Sequence, residues 1–313
     1  MGDVRAGRVT VRAPAKLNLQ LNVGRPGPDG YHELATVFHA VGLYDEVTAS
    51  EPDEDGAGVR VVVEGAQAGL VPRDDSNLAV RAARLLAART GRPAEVDLRI
   101  RKEIPVAGGM AGGSADGAAA LVACDLLWRT GLSREDLHEL AAELGADVPF
   151  ALMGGTAVGT GRGERLTPAL ARGELHWVLA LSADQLSTPE VYAECDRLRA
   201  ERPVLEPRVG ERMMQGLRSG DATVIGRELS NDLQPAALSL APDLAATLAV
   251  GADYGALGSV VSGSGPTIAF LVSDAERALD LTVALTASGV CDAVHRVTGP
   301  VHGARSVDPP RLL

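Results

Sequence analysis

Four glycines within six residues, set between an alternating run and an alanine-rich run, leave few options for the segment Pro105-Val-Ala-Gly-Gly-Met-Ala-Gly-Gly-Ser114-Ala-Asp116. Before it, Val96, Leu98 and Ile100 alternate with Asp97, Arg99 and Arg101, the period of a half-buried strand. After it, Ser114 is placed to cap a helix running to about Thr130, with Leu121, Cys124 and Trp128 at helical spacing on one side. A strand, a glycine turn and a helix N-terminus gather free backbone N–H groups and the positive end of a helix dipole at one point, an arrangement suited to phosphate. No lysine follows the glycines as a Walker loop requires, and the Gly-x-Gly-x-x-Gly spacing of a dinucleotide fingerprint is absent. The competing reading is a strand-helix turn with glycine for packing alone. Asp116, in the first helical turn, must face away if an anion is to bind.

A chain of 313 residues, 46% hydrophobic, suits two ordinary domains, here divided as 1–170 and 171–313. The formal charge of −11 excludes a global attraction to nucleic acid or an anionic membrane, so any phosphate affinity is local. The first twelve residues mix charges with short apolar runs, and no apolar stretch approaches the roughly 18 residues of a membrane span. These features predict a soluble, cytoplasmic protein, and leave monomer and homodimer both open. Cys124, Cys195 and Cys291 are scattered and odd in number, hence reduced core residues without a metal or bridging role. Of 30 basic residues only Lys16 and Lys102 are lysine, and both lie beside motifs. A compact ammonium and a planar guanidinium are not interchangeable where a tight site needs a point charge.

From Pro14 to Val23, Leu17, Leu19, Leu21 and Val23 alternate with Lys16, Asn18, Gln20 and Asn22, a strand that sets Lys16 and Asn18 on one face, roughly 7 Å apart. A Gly-Pro turn then delivers Tyr31 and His32, an aromatic ring and an imidazole in a chain only 3% aromatic, suited to a flat ligand ring or to a half-buried strand start. Strands at 34–48 and 58–64 flank the acidic, solvated loop 51–56. Asp74-Asp-Ser-Asn77 opens a helix through Arg89, and Ser133-Arg-Glu-Asp136 opens another with Leu137, Leu140, Ala141 and Leu144 inward and Gly145 as its stop. Asp147 is a lone carboxylate at the edge of an apolar run, with a turn-capping role as the alternative. Gly154-Gly155 and Gly159-Thr-Gly-Arg-Gly163 read as turns closing the first domain. In the second half, Trp177–Leu181 is a buried strand, and Ser187-Thr188-Pro189 starts a helix with Tyr192 in its first turn. Residues 203–207 form a loop, and helical segments run to about Ala252. Gly258–Thr267 joins two strands through a second glycine-serine turn, which either closes over phosphates or is simply a hairpin. A helix over 274–288, a strand near Val294 and a loose Pro-rich tail complete the chain.

Pro14-Ala-Lys16-Leu-Asn18-Leu, Asp29-Gly-Tyr31-His32-Glu-Leu, Ile104–Ser114, Leu144-Gly-Ala-Asp147-Val-Pro-Phe and Ser262-Gly-Ser-Gly-Pro-Thr, in this order, resemble the motifs of the GHMP small-molecule kinases over most of the chain. The resemblance implies a two-domain α+β architecture, with an N-terminal ATP-binding α/β domain built on a mixed sheet and a C-terminal ferredoxin-like α+β domain. It implies that Pro105, Val106, Ala107, Gly108, Gly109, Met110, Ala111, Gly112, Gly113, Ser114 and Ala115 hold the ATP phosphates, with Asn77 and Lys102 near the nucleoside. Lys16 and Asp147 become the catalytic pair, and Asn18, Tyr31, His32, Thr188 and Tyr192 the substrate contacts. The implied reaction moves the γ-phosphoryl of ATP to the 2-hydroxyl of a cytidine diphosphate-linked methylerythritol. Mg²⁺ is expected with ATP. No protein ligand is assigned to it, because the Gly-Leu-Gly-Ser-Ser run usual in the family reads Gly109-Met-Ala-Gly-Gly113 here before Ser114. A kinase for mevalonate, homoserine or a sugar, or a non-catalytic nucleotide-binding protein, would share the loop. Tyr31 and His32 favour a substrate carrying a base.

Overall fold

The alternation of residues 14–23 continues past both of its ends. A computed structural model describes residues 7–52 and 56–307, and in it β1 runs Arg8–Pro26, antiparallel to β2, His32–Ser50. β3, Val59–Glu64, lies parallel to β4, Val96–Arg101, so the link between them must cross over, and α1, Leu78–Thr90, makes that crossing. α1 starts where the Asn77 side chain accepts the Ala79 N–H and stops at a left-handed Gly91. α2, Gly112–Trp128, α3, Arg134–Leu144, and α4, Val148–Met153, precede β5, Thr156–Gly161, and β6, Arg165–Pro168. The second half contains β7, Leu175–Leu181, α5, Thr188–Arg199, α6, Glu211–Ser219, and α7, Ala222–Arg227. Then come β8, Ser230–Asn231, α8, Gln234–Leu240, α9, Leu244–Asp253, and β9, Gly258–Val261. β10, Ile268–Val272, α10, Ala275–Ser288, β11, Ala293–Gly299, and β12, Arg305–Ser306, follow.

Two sheets organise these elements. The first has the order β12-β1-β2-β4-β3, with β5 and β6 on the same edge of β2 as β4 and the short β8 beside β1. It is mixed, since β1–β8 and β3–β4 pair in parallel. The second is antiparallel, in the order β11-β7-β10-β9. β6 ends at Pro168 and β7 begins at Leu175, yet β8 and β12 return from the second half to edge the first sheet. Alternation within β7 joins the two layers: Val178 and Ala180 pack with Leu281 and Leu285 of α10, while Trp177 and Leu179 face the core that holds β1 and α2. Among the described residues no helix is long and apolar enough to cross a membrane. The three cysteines are free thiols, with Cys291 only half-buried. Residues 53–55 of the acidic loop and residues 308–313 of the tail lie outside the described residues.

Several local expectations are revised. α2 is capped by Ala111 in a left-handed conformation, φ 58°, and Ser114 sits inside its first turn. The helix is buried nearly all round instead of along one stripe, because its alanines and glycines let β1, β2 and α1 approach closely. Trp128 at its end is half-buried beneath the Arg92 guanidinium, 5.6 Å away. Gly159, Thr160 and Gly161, read as part of a turn, lie in strand β5, Thr156–Gly161. Gly159 serves packing there, because a Cβ would stand 2.7 Å from the Phe38 ring.

Candidate active site

The glycine segment leaves β4 and turns three times through left-handed backbone, at Ala107 (φ 55°), Gly109 (φ 75°) and Ala111 (φ 58°). Ala111 supplies no side-chain cap, so the first N–H groups of α2, at Gly112, Gly113 and Ser114, have no intrahelical partner, and these three residues line the cleft. Three bonds fix the loop from outside: Lys16 N–H to the Met110 carbonyl at 3.2 Å, Val106 N–H to Gln67 Oε1 at 2.7 Å and Ser262 Oγ to the Gly109 carbonyl at 3.1 Å. The second glycine-serine turn is a β9–β10 hairpin, and it is seated on the first loop. At Gly109 the approach is so close that a Cβ would collide with the Ser262 carbonyl.

Lys16 rises from β1 beneath this loop. Its ammonium donates to Asn18 Oδ1 at 2.6 Å and lies 3.8 Å from Asp147 Oδ2 and 5.7 Å from the Phe38 ring centroid. Asn18 in turn donates to Thr36 Oγ1 at 2.8 Å, and the Thr36 hydroxyl donates to the Gln20 carbonyl at 2.7 Å. Thus the face carrying Lys16, Asn18 and Gln20 is buried and hydrogen-bonded, and Thr36 on β2 orients the pair. Burial pulls the Lys16 pKa down and the Asp147 carboxylate opposes it. Asp147 stands just before α4 without capping it, so its carboxylate, 32% exposed, is left facing the lysine. Pro105, the loop, Ser114, Lys16, Asn18, Asp147, Thr188 and Tyr192 line one cleft of about 630 Å³.

That cleft opens into a second, of about 820 Å³, lined by Tyr31, His32, Thr188 and Tyr192. The His32 and Tyr192 rings are 4.9 Å apart and tilted by 44°. His32 Nε2 donates to Asp196 Oδ1 at 3.0 Å, and in the neutral imidazole this gives Nδ1 the acceptor role. Tyr31 is more than half exposed, with the Arg162 guanidinium 3.7 Å from its ring centroid. Burial, and secondarily the Asp147 charge, raise the Tyr192 phenol pKa, so it stays a neutral donor. Thr188 Oγ1 and Ser264 Oγ, 2.9 Å apart, tie α5 to the β9–β10 turn.

Two expected nucleoside contacts keep their side chains inside the protein. Asn77 caps α1 and donates to the Pro72 carbonyl at 2.7 Å. Lys102 is buried between Asp45 Oδ2, at 2.5 Å, and Asp116 Oδ2, at 2.9 Å. Asp45 Oδ1 also accepts the Glu103 and Ile104 N–H groups, at 2.7 and 2.9 Å, and so pins the root of the glycine loop. Lys102 lies under a smaller groove of about 260 Å³ on the far side of Pro105, together with Gln67 and Ala183. Asp116 faces away from the cleft, and its pKa is raised well above the ordinary value, by burial first; Lys102 opposes that rise and Asp45 adds to it. Met110 and Ala115 are buried, and like Val106 they serve the loop without lining the cleft. Sequence reading did not find Thr36, Asp45, Arg162 or Asp196; of these, only Arg162 stood in a flagged stretch, the Gly159–Gly163 run.

Comparison with known proteins gives matches along both halves. Residues 77–155 match the GHMP kinases N terminal domain and residues 213–291 the GHMP kinases C terminal model. The chain is 57% identical to a 4-diphosphocytidyl-2-C-methyl-D-erythritol kinase of Streptomyces coelicolor, over 96% of this chain and 99% of the relative. A crystal structure of 4-(cytidine 5'-diphospho)-2C-methyl-D-erythritol kinase superposes with a TM-score of 0.74 at 32% identity, covering 92% of this chain and 98% of that one. A homoserine kinase from Cytophaga hutchinsonii, TM-score 0.75 at 20% identity over 98% of this chain and 99% of its own, shares the fold.

Proposed function

The chain belongs to the GHMP kinases and, within them, to the 4-diphosphocytidyl-2-C-methyl-D-erythritol kinase family, and from this premise we propose how its clefts perform the reaction. It is an ATP-dependent phosphotransferase with an alcohol acceptor: the γ-phosphoryl of ATP goes to the 2-hydroxyl of 4-diphosphocytidyl-2-C-methyl-D-erythritol, giving the 2-phosphate and ADP in isoprenoid precursor biosynthesis. The observation that carries this reading is the approach of Lys16 to Asp147, 3.8 Å apart at the foot of an amide-lined loop, in a cleft continuous with an aromatic pocket.

In this account the N–H groups of Gly108, Gly109 and residues 111–114 hold the leaving phosphates and cost no reorganisation during transfer. A carboxylate is too weak a base to ionise a tertiary alcohol in advance, so Asp147 orients the hydroxyl and accepts its proton late in a loose transition state. Lys16, held by Asn18, orients Asp147 and offsets charge on the transferring oxygens. Tyr31 and Tyr192 give the cytosine flat surfaces, and His32 Nδ1 accepts from its exocyclic amine. With MgATP bound, Ser114, which lines the cleft, would be the loop residue able to offer Mg²⁺ an oxygen, and the ion would neutralise charge on the phosphate oxygens. The enzyme acts as a soluble cytoplasmic monomer or homodimer, residues 1–170 seating ATP and residues 171–313 closing the substrate side.

ADP release with the cytidylated substrate, measured beside mevalonate and homoserine, tests the reading; turnover of either small acceptor and not of the cytidylated one overturns it. Two substitutions probe the parts. Gly109→Ala forces alanine into a left-handed conformation against the Ser262 carbonyl, and is expected to weaken ADP binding at least about tenfold by calorimetry, the equivalent of 1.4 kcal/mol. Lys16→Arg keeps the charge but replaces a point donor with a broad fork in a space where Gly263 leaves no room, a Cβ there lying 3.2 Å from Nζ. Its kcat is expected to drop about 10- to 100-fold, the loss of one charged hydrogen bond; wild-type kcat would count against the point-charge role.

A further inference from the structure

We propose that Arg162 binds the diphosphate that links the two ends of the substrate. The inference rests on the reaction assigned above and adds a residue to it. The reaction cleft and the base pocket share six lining residues, Leu34, Ala146, Arg162, Thr188, Pro189 and Tyr192, and Arg162 is the charged one among them. A substrate with its base beside His32 and its 2-hydroxyl beside Asp147 must thread its linker through this shared throat. The linker is an ionised diphosphate, and the chain around it carries a net charge of −11, so a local cation is required. Lys16 and Arg162 are the lysine and arginine residues lining the two clefts, and Lys16 is committed at the reacting end.

Arg162 is preset for the task. It occupies the turn between β5 and β6, where its N–H donates to Glu164 Oε2 at 2.7 Å. One guanidinium nitrogen donates to Asp29 Oδ2 at 2.7 Å, and Asp29 is itself held by the Tyr31 N–H at 3.1 Å. The guanidinium carbon stands over Tyr31, 3.7 Å from the ring centroid, and the side chain is 51% exposed. A guanidinium steadied by one carboxylate and one ring still has donors to spare, and its planar fork matches a phosphate in two-point contact. The base thus stacks beside a ring already braced by the cation that grips the neighbouring phosphates.

The test is steady-state kinetics of the full chain, wild type against Arg162→Ala and Arg162→Lys, at saturating MgATP, with cytidine and CDP as competitors of the cytidylated substrate. In Arg162→Ala the KM for that substrate and the inhibition constant of CDP are expected to rise together by about 10- to 100-fold, the range of a charged hydrogen-bonded contact. The inhibition constant of cytidine and the KM for ATP should stay within about twofold, and Arg162→Lys should recover part of the loss. Equal weakening of cytidine and CDP would make Arg162 a brace for Tyr31 alone and overturn the proposal, as would unchanged CDP inhibition. A wild-type enzyme that leaves the cytidylated substrate untouched would instead overturn the assigned reaction.

Discussion

Asp147→Asn should fold, bind ATP normally and lose about 10²- to 10⁴-fold in kcat, the usual share of a positioned proton acceptor. The amide keeps the shape of the carboxylate and can still accept one hydrogen bond, but it cannot take the substrate proton. The fold has little stake in the charge, since the side chain is 32% exposed, caps no helix and has its ion pair at 3.8 Å, longer than a hydrogen bond. An interaction needed only in the transition state lowers kcat and kcat/KM together, so the KM values should barely move. Lys16 adds a second readout. Burial already lowers its pKa and Asp147 restrains that fall, so the asparagine variant loses the restraint. The ammonium then deprotonates at lower pH, and the alkaline fall in residual activity should move to lower pH than in the wild type. Turnover within tenfold of wild type, or an unmoved alkaline limb, would remove Asp147 from the proton path.

How much of this was legible depended on whether the cause lay in local spacing. The strict alternation at 17–23 placed Lys16 and Asn18 on one face, and the Ser133/Asp136 reciprocal cap and the buried stripe Leu137, Leu140, Ala141 and Leu144 are where spacing put them. Features set by distant partners left no such trace. Nothing local marks Ala111 as a left-handed helix start, because the loop is bent by bonds to β1 and to Ser262. Gly159 and Gly161 read as turn residues although they lie in β5, where the Phe38 ring occupies the space a side chain would need at Gly159. The shared face of Lys16 and Asn18 follows from alternation, but its cover, Thr36 and the β9–β10 turn, comes from distant segments. The scarcity of lysine did point to two special positions, but for two different physical reasons.

The second of those positions yields the largest expected loss of stability. Lys102→Met keeps most of the side-chain volume and removes the ammonium from between Asp45 and Asp116, whose side chains are 0% and 4% exposed. Removing one member of a buried ionic cluster typically costs about 3–5 kcal/mol, enough to lower Tm by on the order of 10 °C. The sign of the pH dependence follows from Asp116. Its folded pKa lies above the unfolded value of about 3.9, so the stability it contributes is full below that value and is lost as pH rises through the folded one. Lys102 restrains that upward shift, and without it the shift grows; the deficit of Lys102→Met relative to wild type should therefore narrow between pH 7 and pH 5 in thermal unfolding. A deficit that widens toward pH 5, or a variant as stable as wild type at pH 7, would contradict the assignment of charge to this cluster. Lys102→Arg should not rescue it, because a Cβ on Gly112 would already stand 2.9 Å from Nζ and a guanidinium needs more room than an ammonium. Since the oxygens of Asp45 divide between Lys102 and the Glu103 and Ile104 N–H groups, loosening the cluster frees the root of the glycine loop. The folded fraction of Lys102→Met should consequently show a raised KM for ATP, with the KM for the cytidylated substrate unchanged.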